Sequence, residues 1–303
     1  MKIGPLSVIV LVGLCSGSVV RSEPSTRAAQ PAASPVGVGV YAPEVPLDPY
    51  QWFAFAGELA HHLSRTSGIP VQGLAYKRSR DLLRDLGARK IQYAVVGALW
   101  IGARPTTRVL ATARPDPWQR WSLLARSKTL VGAMRGKVLQ LPRLGRLGPG
   151  LVENGLLAAN IDIRRHFKIA EAPSTLSAIE AVRLGQADVV FAPVPTRHLV
   201  SVMSRSIVLP PPAFVLLSPR QPAGQVSRLS AAILSFTSDT AAIGRWGPPA
   251  TELYPALARL ASKQPLKMSL LPTGAPRVRR RDVVDDQEVE LELPAVEDLF
   301  RVP

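Results

Sequence analysis

The chain has 303 residues, 37 of them basic and 22 acidic for a formal charge of +15, with 47% hydrophobic residues and a single cysteine. That length allows one large or two ordinary domains with a sizeable core, and the apolar content excludes a disordered chain. One cysteine excludes a disulfide scaffold and a cysteine-based zinc site, while the charge points to an anionic partner: nucleic acid, a membrane surface or a small anion.

Lys2 is followed by an apolar run over residues 3–20, then small residues and the polar Glu23, Pro24 and Ser25. A short positive start, an apolar centre and small residues at the exit make residues 1–22 a secretory signal peptide, cleaved before Glu23 or after Ser18. Gly4, Pro5, Gly13 and Gly17 argue against a retained membrane anchor. Cys15 follows Leu14, where lipoprotein processing wants a small residue, so lipid anchoring is the weaker reading. The mature chain then has no cysteine, no second spanning stretch and an exported fate that makes nucleic acid the wrong partner.

Residues 23–35, rich in Ser, Ala, Pro and Gln, read as a flexible lead-in. Val36–Tyr41 alternates Val and Gly as a buried strand. Asp48 before Pro49 gives an N-cap and a first helical residue, and Trp52, Phe55, Ala56, Leu59 and Leu63 follow at helical spacing up to Gly68. Residues 71–76 predict a second strand. Ser79 is expected to cap a helix ending at Gly87, and residues 91–97 read as a third strand buried on both faces. Residues 108–113, 121–125 and 137–141 continue as strands. Pro149 is expected to open a helix through Ala159, closed by Asn160. Residues 167–170 give a strand, and Ser174 caps a helix with Leu176, Ile179 and Val182 on one face. Residues 189–191, 207–209 and 213–217 are strands, and helices cover 226–236 and 254–261. Strands alternating with helices define an α/β protein with largely parallel sheets.

Beyond residue 262 the pattern degrades. Residues 277–281 are basic. Residues 282–303 then hold eight acids (Asp282, Asp285, Asp286, Glu288, Glu290, Glu292, Glu297 and Asp298) against Arg301 alone. Residues 263–303 therefore read as a mostly disordered, basic-then-acidic tail, although the alternation of Val289, Leu291 and Leu293 with Glu290 and Glu292 leaves an edge strand open. Only eight of the 37 bases are lysine. Nucleotide composition can produce such arginine enrichment, so the charge has two open explanations.

The chemistry of enzymes is not nominated. His61, His62, His166 and His198 include no pair at the i, i+4 spacing of a helical zinc site, and neither a G-x-S-x-G elbow nor a G-x-x-x-x-G-K-[ST] loop occurs. The glycines of residues 145–150 lack the G-x-G-x-x-G spacing. No catalytic residue, cofactor or metal is expected.

Three elements in order carry a resemblance. Val38–Val40 with Tyr41 precedes a helix ending in Gly68, Ile69, Pro70 and Val71. Ser79 through Gly97 is a short helix, a buried strand and a glycine. Gly136, Lys137 and Val138 lead through a helix to Asn160, Ile161 and Asp162, and on to residues 178–188 with Ala181, Val182, Gly185, Ala187 and Asp188. This order, over about residues 36–262, resembles the periplasmic substrate-binding components of ABC transporters, in a divergent member of their phosphate/phosphite/phosphonate-type branch. The resemblance implies a type II fold: two α/β lobes with mixed, largely parallel sheets around a hinged cleft. Lobe one would take 36–112 plus 204–262, lobe two 113–203, with crossings near 113–118 and 193–205. It also implies a monomeric, periplasmic protein that captures a small anion for an inner-membrane ABC permease. The alternative is a sensory or partner-binding protein on the same fold, without transport.

Strand-to-helix turns at a cleft point N–H groups and positive helix ends at an anion. The turns concerned would be 41–48, 76–79, 97–100, 141–150 and 192–195. Tyr41, Tyr76 and Ser79 can donate hydroxyl hydrogen bonds, Arg78, Arg143 and Arg146 can grip an oxyanion in bidentate fashion, and Trp100 can wall the cleft. For each there is a plain alternative: solvated surface for the arginines, packing for the aromatic residues. Two departures from the family pattern stand out. The loop 143–150 has no Ser or Thr, and Gln92 and Tyr93 stand where the third strand commonly has an acid.

Overall fold

The computed structural model describes residues 34–114, 120–157, 161–239 and 243–262. The signal peptide, most of the lead-in, Asn160 and the tail from residue 263 lie outside the described residues.

The chain begins with β1 (Val36–Tyr41), α1 (Pro49–Ser67), β2 (Val71–Ala75), α2 (Ser79–Gly87), β3 (Tyr93–Val96), α3 (Ala98–Gly102) and β4 (Arg108–Ala113). It continues with β5 (Arg120–Ala125), β6 (Val138–Pro142), α4 (Gly148–Leu151), α5 (Ile163–His166), β7 (Lys168–Ala172), α6 (Thr175–Arg183), β8 (Val189–Val194), β9 (Val200–Ser201) and β10 (Ile207–Val208). It closes with β11 (Ala213–Leu216), α7 (Ala223–Leu234), β12 (Trp246–Gly247) and α8 (Leu253–Ser262).

These strands form two six-stranded mixed sheets, as a two-lobed α/β architecture requires. The first runs β12-β4-β11-β3-β1-β2 and the second β10-β5-β8-β6-β7, with β9 also paired to β5. β1 is parallel to both β2 and β3, whereas β11 returns antiparallel between β3 and β4. In the second sheet β6 is parallel to β7 and β8, and β5 is antiparallel to β8. Pro193 and Val194 pair with Trp121 and Arg120, and Ile207 pairs with Trp121. Residues 193–208 therefore stay with the second sheet. The chain returns to the first through 209–212, later than the crossing expected at 193–205.

Local sequence explains the long helix. The Asp48 carboxylate accepts from the Gln51 N–H at 2.8 Å, and the Gln51 side chain accepts from the Asp48 N–H at 3.0 Å, a reciprocal cap. Gly68 ends the helix at φ 67°. Phe55, Ala56, Leu59 and Leu63 bury one face against the first sheet. Two other expectations change. Ser79 is the first helical residue of α2, with the extended Arg78 at the capping position and no side-chain cap. The helix opened by Pro149 is four residues of α-helix followed by a π turn at Val152–Leu156. Gly148, Gly150 and Gly155 weaken a regular helix here, and packing decides its path.

That packing joins the lobes. α8 lies against α3 of the first lobe and α4 of the second. A Cβ on Gly150 would come within 2.0 Å of the Ala261 carbonyl oxygen, so the two backbones touch. The Asn154 amide donates to the Leu260 carbonyl at 3.1 Å. One hydrophobic cluster consequently runs from Val96 and Trp100 through Leu144 and Leu151 to Trp121 and Phe191, with Tyr254 and Leu257 of α8 inside it. Among the described residues, no helix is long and apolar enough to cross a membrane.

Candidate functional site

The ends of β1, β2 and β3 in the first lobe face the ends of β6 and β7 in the second. The facing turns touch directly: the Thr175 hydroxyl donates to the Pro43 carbonyl at 2.7 Å, and the Tyr41 hydroxyl lies 3.5 Å from the Arg143 carbonyl. Around these contacts the cleft divides into adjoining compartments.

The polar compartment encloses about 590 Å³ and is walled by Tyr41, Glu44, Ser79, Trp100, Arg104 and Arg146 among others. Arg78, Ser79, Arg80 and Arg143 line an open recess of about 370 Å³ beside it. Ser79 borders both. Arg78 and Arg80 come from the first lobe, and Arg143 comes from the second. Arg143 is held loosely, with its Nε 3.7 Å from the Glu171 carboxylate and both side chains well exposed. Such a pair contributes little, which leaves the guanidinium free to turn toward a ligand.

Glu44 was not among the residues expected from the sequence. It is 3% exposed. Its carboxylate accepts from the Ala98 N–H, the first of α3, at 2.6 Å. Burial pushes its pKa up to about 7, opposed by hydrogen bonds from its own backbone and from Ala98. A Cβ on Gly97 would fall 1.8 Å from a Glu44 carboxylate oxygen, so glycine there is a steric requirement. A signal was available: Glu44 is the only charged residue between Val36 and Leu47.

Arg104 was missed too. Its guanidinium stands 4.2 Å above the Trp100 ring, a cation–π contact made from just beyond the end of α3. Burial lowers its pKa below the ordinary arginine value. Trp100 itself is 7% exposed, and its Nε1–H has no acceptor among the described residues. A buried donor without an acceptor is costly, and this one belongs to a residue of the cavity wall.

The remaining expected residues have definite places. Tyr41 is buried, and burial together with nearby Glu44 raises its pKa, so it stays a neutral hydroxyl. Tyr76 donates to the Asp85 carboxylate of α2 at 3.1 Å. Burial and Asp85 raise its pKa. Its hydroxyl is thus committed, and only its ring faces the cleft. Of the expected turns, 41–48, 76–79, 97–100 and 141–150 contribute to these walls. Residues 192–194 belong to β8 instead. The turn into α6, from Pro173 to Ser177, supplies a wall that was not expected. Among the described residues no cluster of His, Cys, Asp and Glu could hold a metal ion.

Two mixed sheets with facing strand ends and a cleft between them make a two-lobed α/β fold. No protein-family model matches the sequence, and no curated protein matches it either. Solved structures do. PhnD1 from Prochlorococcus marinus, in complex with methylphosphonate, is similar at a TM-score of 0.59 and 15% identity, over 74% of this chain and 96% of that one. A binding protein component of an ABC phosphonate transporter from Pseudomonas aeruginosa gives 0.58 and 12% identity, over 71% and 82%. XAC2383 from Xanthomonas citri, bound to ATP, gives 0.55 and 16% identity, over 76% and 97%. At these identities the likeness establishes the two-lobed, periplasmic-binding-protein-like fold.

Proposed function

We propose that this chain is an exported solute-binding protein that captures a small oxyanion of the phosphate or phosphonate kind in the interlobe cleft. It would deliver that anion to an inner-membrane ABC permease. The observation that carries the reading is the meeting of Arg78 and Arg143, from opposite lobes, around Ser79 at one recess. Guanidinium groups on both sides let one anion hold the lobes together, since charge-assisted hydrogen bonds to each lobe form only in the closed arrangement. Ser79, at the start of α2, adds a hydroxyl and the positive end of a nine-residue helix. Methylphosphonate in the Prochlorococcus marinus protein and the transporter component from Pseudomonas aeruginosa support the ligand class and the transport role. The signal peptide expected at residues 1–22 supports a periplasmic location.

A thermal-shift screen of phosphate, phosphite, methylphosphonate and sulfonates against neutral and cationic solutes tests the reading. A rise in melting temperature with an oxyanion is expected. A response confined to neutral or cationic solutes would refute it.

A further inference from the structure

The cleft has a second compartment that anion capture does not use. It lies between the start of α1 and the start of α6, encloses about 190 Å³, and is walled by Tyr41, Leu47, Trp52, Phe53, Tyr76 and Leu176 among others. Four of those six are aromatic. An apolar cavity of about 150 Å³ is enough to take up benzene, so this one has room for a single six-membered ring with a short linker.

Two features place it next to the anion recess. Tyr41 lines both this compartment and the polar one, which in turn shares Ser79 with the anion recess. The turn from β2 to α2 gives Tyr76 and Lys77 to the aromatic compartment, and the next three residues, Arg78, Ser79 and Arg80, to the arginine recess. The second lobe does the same: Arg143 sits at the recess, and its N–H donates at 2.8 Å to the carbonyl of Ala172, immediately before the Pro173–Ser177 wall. Both lobes therefore contribute to both compartments.

The aromatic wall is also half open to water. Phe53 is 59% exposed and shares this lining with Trp52 and Tyr76, so a ligand that covers it buries apolar area. Apart from the tyrosine hydroxyls and the Trp52 N–H, the polar side chains of its lining are Lys77, Ser174 and Ser177, and the two serine hydroxyls are 3.0 Å apart and bond one another. Inorganic phosphate or a methyl group would leave the rings uncovered. A flat apolar group would stack against Tyr41 and Tyr76 and shield Phe53.

We propose that the ligand is an organic oxyanion bearing one compact aryl group, with its charged head at Arg78, Ser79 and Arg143 and its ring between Tyr41, Trp52, Phe53 and Tyr76. This rests on the anion-capture reading and narrows it from any small oxyanion to an amphiphilic one.

Calorimetric titration of the purified mature chain with methylphosphonate, phenylphosphonate and phenol tests the two ideas separately. Phenylphosphonate is expected to bind at least about 10-fold more tightly than methylphosphonate, from the apolar area its ring buries. Two variants check the assignment: Phe53→Ala, which removes an exposed side chain, and Ser177→Trp, which fills the compartment from its exposed rim. Both are expected to bring the two phosphonates to within about 3-fold of each other, a difference of well under the 1.4 kcal/mol that tenfold represents. Equal affinity of both phosphonates for the unmodified chain overturns the aryl compartment while leaving anion capture standing. Binding of phenol with no binding of either phosphonate overturns anion capture and, with it, the amphiphilic ligand. A preference for phenylphosphonate that survives both variants overturns the placement of the ring.

Discussion

The Thr175 hydroxyl, at the first turn of α6, donates to the Pro43 carbonyl at 2.7 Å, and the Thr175 N–H reaches the same oxygen at 3.4 Å. Thr175 is fully buried. Two groups of one lobe thus converge on a single carbonyl of the other, in the loop that follows Tyr41 of β1 and carries Glu44 to the cleft.

Thr175→Val keeps the shape and removes the donor. Leaving a buried carbonyl without its hydroxyl partner costs about 1–2 kcal/mol. The variant is expected to melt earlier and, without an anion, to show a larger radius of gyration by small-angle X-ray scattering. Unchanged values for both would show that this contact does not hold the lobes together.

Glu44 predicts a pH dependence of defined sign. Its folded pKa of about 7 lies above the ordinary value of 4.5, so between those values the folded chain holds a proton that the unfolded chain releases. Stability therefore falls as pH rises through that window and levels off above it, by up to about 3 kcal/mol. Glu44→Gln preserves the acceptor for the Ala98 N–H and is expected to flatten this slope in denaturant titrations from pH 4.5 to 8. An identical slope in the variant would assign the dependence to other groups.

The same carboxylate lines the polar compartment. Once ionised it repels an anion held nearby, so oxyanion affinity is expected to weaken as pH rises past about 7, and to do so less in Glu44→Gln. Affinity measured at pH 6 and pH 8.5 in both proteins checks this. A pH effect of equal size in the two would contradict it.

Gly97→Ala places a methyl group against the Glu44 carboxylate. Gly97 has φ −71°, which any residue can adopt, so the whole penalty is steric. Overpacking of this kind costs about 1–3 kcal/mol. Glu44→Ser removes the obstacle, and the double variant is expected to regain most of the loss that Gly97→Ala causes alone, a coupling read from a double-mutant cycle. Additive losses would place the clash elsewhere.

Much of the fold was legible because its signals are local. Val36–Tyr41, the Asp48 cap, Pro49, Gly68 and the Ser174 cap each depend on residues within one turn, and each stands where the pattern put it. The segment after Pro149 was not legible. Its α-helix gives way to a π turn as Gly150 and Asn154 meet α8 from about a hundred residues further along. The site divides the same way. Arg78, Ser79 and Arg143 were readable as donors in cleft turns, and they share one recess. Tyr76 was readable as a hydroxyl, but its bond to Asp85 is settled by the path of α2. Glu44 and the Trp52–Phe53 wall were missed, since an acid in a loop or an aromatic at helical spacing looks the same in sequence whether it faces a cavity or the core.

The most direct test of the account is the affinity of the purified mature chain for methylphosphonate, compared with Arg78→Gln and Arg143→Gln. If the anion binds as proposed, each guanidinium would make charge-assisted hydrogen bonds worth about 1.5–3 kcal/mol, so each substitution is expected to weaken binding about 10- to 100-fold without lowering the melting temperature of the anion-free protein. Undiminished affinity in both variants, or no binding of any oxyanion to the unmodified chain, would contradict the assignment of this cleft to anion capture.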